Sequence, residues 1–391
     1  MKLNHGIHLT YCTNIHRGED WQETFSGLEH YTLAVRHRVG HREPFGIGLR
    51  LSNQAARELA EPKTLLAFQR WLDQHGCYVF TINGFPFGKF HGGRVKEQVF
   101  APDWTQPARL DYTNLLFDLL AQLVPPGVEG SVSTLPGSFK EFIRDELQVA
   151  EIRKNLWRCV EHIARVSERS GRTLHLGVEP EPLGLFENSI ETAQFFDELA
   201  AEHPNDPRLA AHLGVNYDTC HLALQYEEPR DVVRRFKAHG IKISKLHLSS
   251  ALKVRSTPEV RQALAAFTDD VYLHQVLART ADGLITRYKD LPLALAAAAP
   301  AINHPEWRIH FHVPVHSPKT ALFDNTSDHI TGLLEILKDE PTLCPHLEIE
   351  TYTWEVLPPE MKNENVVTQL TREYDWCLKH LIHHGLANQP K

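Results

Sequence analysis

Short apolar runs alternate with longer amphipathic stretches along the chain. The runs GIHLTYC (6–12), FGIGLRLS (45–52), YVFTINGFP (78–86), GSVSTLP (130–136), LHLGVEPEP (174–182), LGVNYDT (213–219), KISKLHLSS (242–250), RIHFHVPV (308–315) and LEIETYT (347–353) predict strands. Most are rich in β-branched or aromatic residues and are bounded by Gly, Pro, Asn or Ser. Between them the apolar residues recur at helical spacing. Residues 54–74 carry Leu59, Leu65, Leu66, Phe68 and Leu72, and 138–169 open with Ser138 and Glu141 as a capping box. A helix over 188–202 starts at an Asn cap, and 361–385 form a closing helix.

Continuous apolar strands alternating with helices predict a parallel sheet covered by helices. Eight or nine such units across the chain favour an α/β fold of the closed (β/α)₈ TIM-barrel type over an open doubly wound sheet. The expectation is one barrel domain over residues 1–391. Residues 253–307 are the least regular part and are expected to form an irregular insertion before the last strands.

At 391 residues the chain is long for one domain, but a barrel with insertions fits. A hydrophobic share of 42% with 23% charged residues excludes wholesale disorder. The formal net charge of −8 speaks against nucleic acid as a partner. No G-x-G-x-x-G follows the first strand and no P-loop word occurs, so dinucleotide and nucleotide readings lose their usual support. Six cysteines without C-x-x-C spacing predict reduced thiols. MKLNHGIHLTY lacks the apolar run of a secretory signal, and LPLALAAAAPAI (291–302) is too short to span a bilayer. A cytoplasmic protein without a membrane partner is expected, with a homo-oligomer left open.

The candidate chemistry lies at the strand ends, which in a barrel converge on one mouth. Glu179 and Glu181 end one strand, and Asp218 ends the next with His221 three residues on. His247 follows, then His310, His312 and His316, then Glu348 and Glu350. One strand-end Glu is ordinarily a solvated rim residue, and one His ordinarily a satisfied structural group. Several carboxylates gathered near apolar strand ends cost several kcal/mol unless a cation or partner neutralises them. A divalent ion is the simplest neutraliser, and Mn²⁺, Mg²⁺, Co²⁺ and Zn²⁺ all suit such donors.

The order Glu, Asp-x-x-His, His, Glu resembles the xylose-isomerase-like TIM barrels, which include sugar isomerases, ketose 3-epimerases and the endonuclease IV type. EPLGLFEN (181–188), DTCH (218–221), LHLSS (246–250) and IETYTW (349–354) look like the successive words of ketose epimerases. HLTYCTNIHRGEDW and NGFPFGKFHG point more narrowly to the EboE family of metabolite traffic proteins. The resemblance implies metal ligation by Glu181, Asp218, His247 and Glu350, with Glu187 and His221 on substrate hydroxyls. Glu179 would face the same way as Glu181, as an outer group. Two departures stand out: Gly184-Leu185 replaces the epimerases' Asn-Arg, and Lys253 stands where they carry an Arg.

Such a site implies proton transfer beside a carbonyl, with Glu181 and Glu350 as the carboxylates on either side of the substrate carbon. The substrate would be a sugar, sugar phosphate or cyclitol. His8 and Tyr11 are candidates for substrate hydroxyls, with packing at the mouth as the alternative. Asn83, Phe85, Phe87 and His91 lie in a Gly- and aromatic-rich segment that suits either a lid or a tight structural loop. His310 and His312 read as a substrate-facing pair or a second metal site. SVSTLPGSF (131–139) offers a phosphate site or a plain helix cap near Ser138. Two other functions compete: a metal-dependent phosphoesterase on the same fold, which would draw His312 and His91 into the cluster, and a non-catalytic binder of a polar metabolite.

Overall fold

The computed structural model describes residues 1–40, 44–297, 306–362 and 364–389. Seven strands come first: β1 (His8–Tyr11), β2 (Phe45–Arg50), β3 (Cys77–Asn83), β4 (Gly130–Thr134), β5 (Leu174–Val178), β6 (Leu213–Asp218) and β7 (Lys242–Leu248). The chain then forms β8 (Ala251–Arg255), β9 (Val276–Arg279), β10 (Ile285–Tyr288), β11 (Glu306–His312) and β12 (Asp324–Asn325) before β13 (His346–Ile349). Strands β1 to β7 and β13 make an eight-stranded parallel sheet in the order β1-β13-β7-β6-β5-β4-β3-β2. A parallel bridge between Cys12 and Gly48 joins its two edges. The sheet is therefore a (β/α)₈ barrel.

One of the nine predicted strands, RIHFHVPV (308–315), lies outside it. β11 belongs to an antiparallel five-stranded sheet, ordered β10-β9-β11-β8-β12. The expected irregular insertion over 253–307 thus contains ordered strands and short helices, and its sheet spans β8 to β12. Residues 298–305, including the end of the Ala-rich run, lie outside the described residues.

The helices differ from expectation at their starts, for local reasons. Pro62 divides the 54–74 pattern into Asn53–Leu59, capped by Ser52, and Pro62–Gln74. Asp145, rather than Ser138, caps the long helix Glu146–Ser170 by accepting from Gln148 N. Ser138 instead donates to Asp103 Oδ2 and heads no helix, so the phosphate reading of that segment lapses. Ile152, Leu156, Val160, Ile163 and Val166 bury one face of that long helix. No helix among the described residues is long and apolar enough to cross a membrane. All six cysteines are buried and unpaired.

The barrel interior is unusually polar, and strand parity shows why. The side chains of His346, Glu348 and Glu350 share one face of β13 and its extension, as do His175 and Glu179 on β5. At the N-terminal end, the His346 and His175 rings stack at 5.5 Å, and His8 meets His346 edge-on at 6.3 Å. One level up, Lys245 Nζ donates to Glu348 Oε2 at 2.6 Å, both residues fully buried. A Cβ at Gly48 would fall 2.0 Å from Glu348 Oε1, so glycine there is what admits this carboxylate.

Breaking a buried ion pair leaves an uncompensated charge, which costs about 3–5 kcal/mol. Lys245→Met is expected to lower unfolding free energy by roughly that amount in urea titrations. A second carboxylate makes stability depend on pH. Glu373, on helix Val366–His383, is fully buried and accepts from Thr351 Oγ1 at 2.6 Å and Val315 N at 3.2 Å. Burial pushes its carboxyl up to about 7. Its contribution is therefore intact below the ordinary carboxylate range and lost as pH rises through 7, worth roughly 3 kcal/mol by pH 8. Glu373→Gln should remove most of that loss, narrowing the gap between urea midpoints at pH 5 and pH 8.

Candidate metal centre and cavity

The C-terminal ends of β5, β6, β7 and β13 bring four donors together: Glu179, Asp218, His247 and Glu350 all offer an atom within 4.8 Å of one another. The arrangement is built outward from His247. With its hydrogen on Nε2, the ring donates to Glu348 Oε2 at 2.8 Å. Its Nδ1 then faces Glu179 Oε1 at 3.3 Å, Asp218 Oδ2 at 3.4 Å and Glu350 Oε2 at 3.3 Å.

In each carboxylate one oxygen is held by the protein and the other is left for this centre. Asn216 Nδ2 donates to Glu179 Oε2 at 2.7 Å. Asp218 Oδ1 accepts from His221 N at 3.0 Å, capping the helix Thr219–Leu224, and from Ser249 Oγ at 2.6 Å. Asn14 and Asn83 donate to Glu350 Oε1 at 2.8 and 3.2 Å. Asp218 Oδ2 is buried and accepts no hydrogen bond. A buried carboxylate oxygen without a donor is costly unless a cation faces it.

Electrostatics point the same way. Burial would lower the His247 pKa, yet Glu350 and Glu179 hold it well above the ordinary imidazole range. The carboxylates thus favour positive charge at this point strongly enough to overcome desolvation. The donor set, three carboxylate oxygens and one imidazole, fits a divalent cation, and the His247–Glu348 hydrogen bond is the outer contact that commonly orients a metal-binding histidine.

Glu181 does not join this group, although the resemblance implies it as a metal ligand. Glu179 stands there instead. Beyond β5 the two-residue period ends at Pro180, and the chain turns: Leu183 has a positive φ of 68° and Gly184 N donates to Glu181 O at 2.9 Å. The turn carries Glu181 to His221 and His310, with which it forms a second cluster. Burial raises the Glu181 carboxyl well above its usual range, reinforced by Glu179, Asp218 and Glu350. Burial also depresses His221, to about 4, and depresses His310 strongly. The two rings meet Nε2 to Nε2 at 3.1 Å.

A cavity of about 560 Å³, its open mouth included, lies above both clusters. Glu179, Glu181, His221, His310 and Glu350 line its floor with Asn14 and Asn83. His312 shares a cluster with Asp218 and His221, and its Nε2 has no hydrogen-bond partner.

Other predicted site residues lie elsewhere. His8 opens β1 at the opposite end of the barrel, hydrogen-bonded to Tyr78 Oη at 2.7 Å. Tyr11 points outward to Thr32 Oγ1 and His16 Nε2, because alternate residues of β1 face opposite sides. Lys253 lies on β8 opposite Asp328 and takes no part in the cavity. Glu187 is engaged by Lys140, Arg287 and Gln225 and does not line the cavity. His91 is bound to Asn14 O and to Tyr272 Oη, behind the cavity wall. Gly184 has a packing reason: a Cβ there would come within 2.3 Å of Pro136 Cγ.

Two participants, Gln275 and Asn216, are not among the residues singled out from the sequence. Gln275 Oε1 accepts from His310 Nδ1 at 2.7 Å and its Nε2 donates to Pro182 O at 3.1 Å, tying the antiparallel sheet to the turn that carries Glu181. Asn216 could have been found from parity with Asp218.

The chain matches no protein-family profile and no curated protein sequence. Among solved structures it is similar to AsbF from Bacillus anthracis, a probable 3-DHS dehydratase involved in petrobactin synthesis. The two are 14% identical with a TM-score of 0.50, over 95% of this chain and 98% of that one. The likeness extends over nearly the whole barrel. A D-tagatose 3-epimerase-like protein is 12% identical with the same TM-score of 0.50, over 97% and 98% of the two chains. At these identities the likeness is one of fold.

Metal titration separates the roles. Glu179→Gln and Asp218→Asn are expected to weaken divalent-metal binding by about 100-fold or more, and Glu348→Gln by roughly 10–100-fold. Glu181→Gln should leave it within a few-fold. Calorimetry with Mn²⁺, Co²⁺ and Zn²⁺ on the metal-stripped protein reads all four.

Proposed function

We propose that the protein is a metal-dependent isomerase or epimerase that moves a proton beside a carbonyl of a sugar or cyclitol-type ketone. The observation that carries this reading is the pairing of a four-donor centre with a separate buried carboxyl, Glu181, on the same cavity floor. Glu179, Asp218, His247 and Glu350 would hold the cation. When bound, a divalent ion supplies Lewis acidity to a ketone and its neighbouring hydroxyl.

The chain's own groups supply the rest. Glu181 exchanges a proton with the carbon next to the carbonyl. Glu350, whose Oε1 is fixed by Asn14 and Asn83, reaches the cavity from β13, with β7 and β6 between it and the strand that leads to Glu181. Two carboxylates brought to the floor from separate strands suit removal of a proton on one face and its return on the other. The neutral His221–His310 pair is placed to hold substrate oxygens. The neighbours of similar fold are described as a probable dehydratase and an epimerase-like protein, so fold alone does not select the reaction. The EboE-like words add no reaction either.

A second reading, phosphate-ester hydrolysis, draws on one observation: His312 and His221 form a further three-donor group with Asp218. Metal content distinguishes the two, since the hydrolase reading needs more than one ion per chain and the isomerase reading needs one.

The direct test is deuterium incorporation. Metal-loaded protein, incubated in D₂O with a panel of ketoses and inosose-type ketones, should introduce deuterium beside the carbonyl, seen by NMR. Glu181→Gln should slow exchange by about 10²–10⁴-fold while retaining the metal. Unchanged exchange in that variant, or phosphodiester cleavage by the wild type, would overturn the reading.

A further inference from the structure

The upper wall of the cavity has the opposite character to its floor. Phe85, Phe90, Val95, Phe100, Tyr272 and Tyr352 line it. They come from three separate places: the segment after β3, the insertion before β9, and the turn after β13. Phe90, Tyr272 and Tyr352 pack as a triad, with ring centroids 5.3 Å apart for Phe90–Tyr272 and Phe90–Tyr352, and 5.1 Å for Tyr272–Tyr352. Phe90, Val95 and Tyr272 form a cluster of their own, apart from the main core.

Among the described residues the wall offers no free cation. Lys96 is the only lysine or arginine among the described residues of the cavity lining, and its Nζ is committed to Asp290 Oδ2 at 2.7 Å and Asp269 O at 2.9 Å. The polar tips of two rings are also engaged, Tyr272 Oη by His91 Nδ1 at 2.6 Å and Tyr352 Oη by His310 Nε2 at 3.4 Å. What remains toward the cavity is ring surface and aliphatic carbon. A phosphate placed here would lose its hydration without gaining a counter-charge.

We infer that the substrate is a polyhydroxylated ketone bearing an uncharged apolar substituent, which meets this aromatic wall while the hydroxylated part lies on the charged floor. This deepens the isomerase reading and rests on it for the orientation of the polar part. It excludes phosphorylated sugars from the preferred class. Aromatic walls bind such groups by area and by edge-to-face contact.

Binding tests this without turnover. Metal-loaded protein is titrated calorimetrically with three probes: D-glucose, phenyl β-D-glucopyranoside and D-glucose 6-phosphate. The phenyl glycoside should bind at least about tenfold tighter than glucose, and the phosphate no tighter than glucose. Phe90→Leu, a volume-sparing change in the small outer cluster, should remove most of the phenyl gain while thermal unfolding stays close to wild type. Val99 also lines the cavity, and Val99→Lys, placing a cation in the wall, should reverse the preference toward the phosphate. No phenyl gain in the wild type, or tighter binding of the phosphate, would overturn the inference. Deuterium exchange on the same preparations reports separately. A phenyl gain without exchange upholds the wall and sinks the reaction, whereas exchange without the gain does the reverse.

Discussion

Three carboxylates aimed at one point inside a closed barrel constrain everything around them. Each would repel the others and lose its hydration. The fold meets this by dividing every carboxylate into a held oxygen and a free one. Asn216, Ser249 with the His221 amide, and the Asn14–Asn83 pair take the held oxygens of Glu179, Asp218 and Glu350. The free oxygens face His247 Nδ1, and His247 is itself fixed from behind by Glu348. Glu348 in turn needs Lys245 as a counter-charge and Gly48 as a space. The polar ladder thus descends two levels into the barrel, where a purely apolar interior would ordinarily pack.

Much of this was legible in the sequence, because strands impose a period. The run of strand-end acids and histidines located the mouth, and parity on β13 put Glu348 and Glu350 on one face. Asp218, His247 and Glu350 stand together as the family-like words imply. Glu181 shows where the period fails. Two residues of regular strand separate like-facing side chains, but Pro180 ends the strand, and the turn through Leu183 redirects the next acid. A word match aligned the later glutamate, while backbone geometry places the earlier one at the centre. His8 and Tyr11 fail differently. A four-residue strand gives only its last positions to the mouth, and Tyr11 has the outward parity.

Of the antiparallel sheet only β11 was legible as a strand, and the pairings explain why the rest was not. β8 pairs with β11, whose residues lie more than fifty positions later in the chain, and β11 also pairs with β9. Such long-range pairing leaves no local period, so the intervening chain reads as irregular. Yet this sheet delivers His310 to the floor, His312 to the cluster with Asp218 and His221, and Gln275 to the turn beside Glu181. The insertion is therefore part of the site's construction rather than an ornament on the barrel.

Charge is distributed through the cavity in a way that limits what can enter. The floor concentrates acids and imidazoles around a cation site, and the wall above it holds aromatic rings with their polar tips already engaged. A ligand with hydroxyls at one end satisfies the floor, because hydroxyls both donate to carboxylates and accept from a histidine. The same ligand with charge at the other end would meet a surface unable to repay its desolvation. Two chambers of opposite polarity, one from barrel strands and one from three converging segments, make the substrate's polarity gradient a property of the fold's construction, independent of which proton is finally moved.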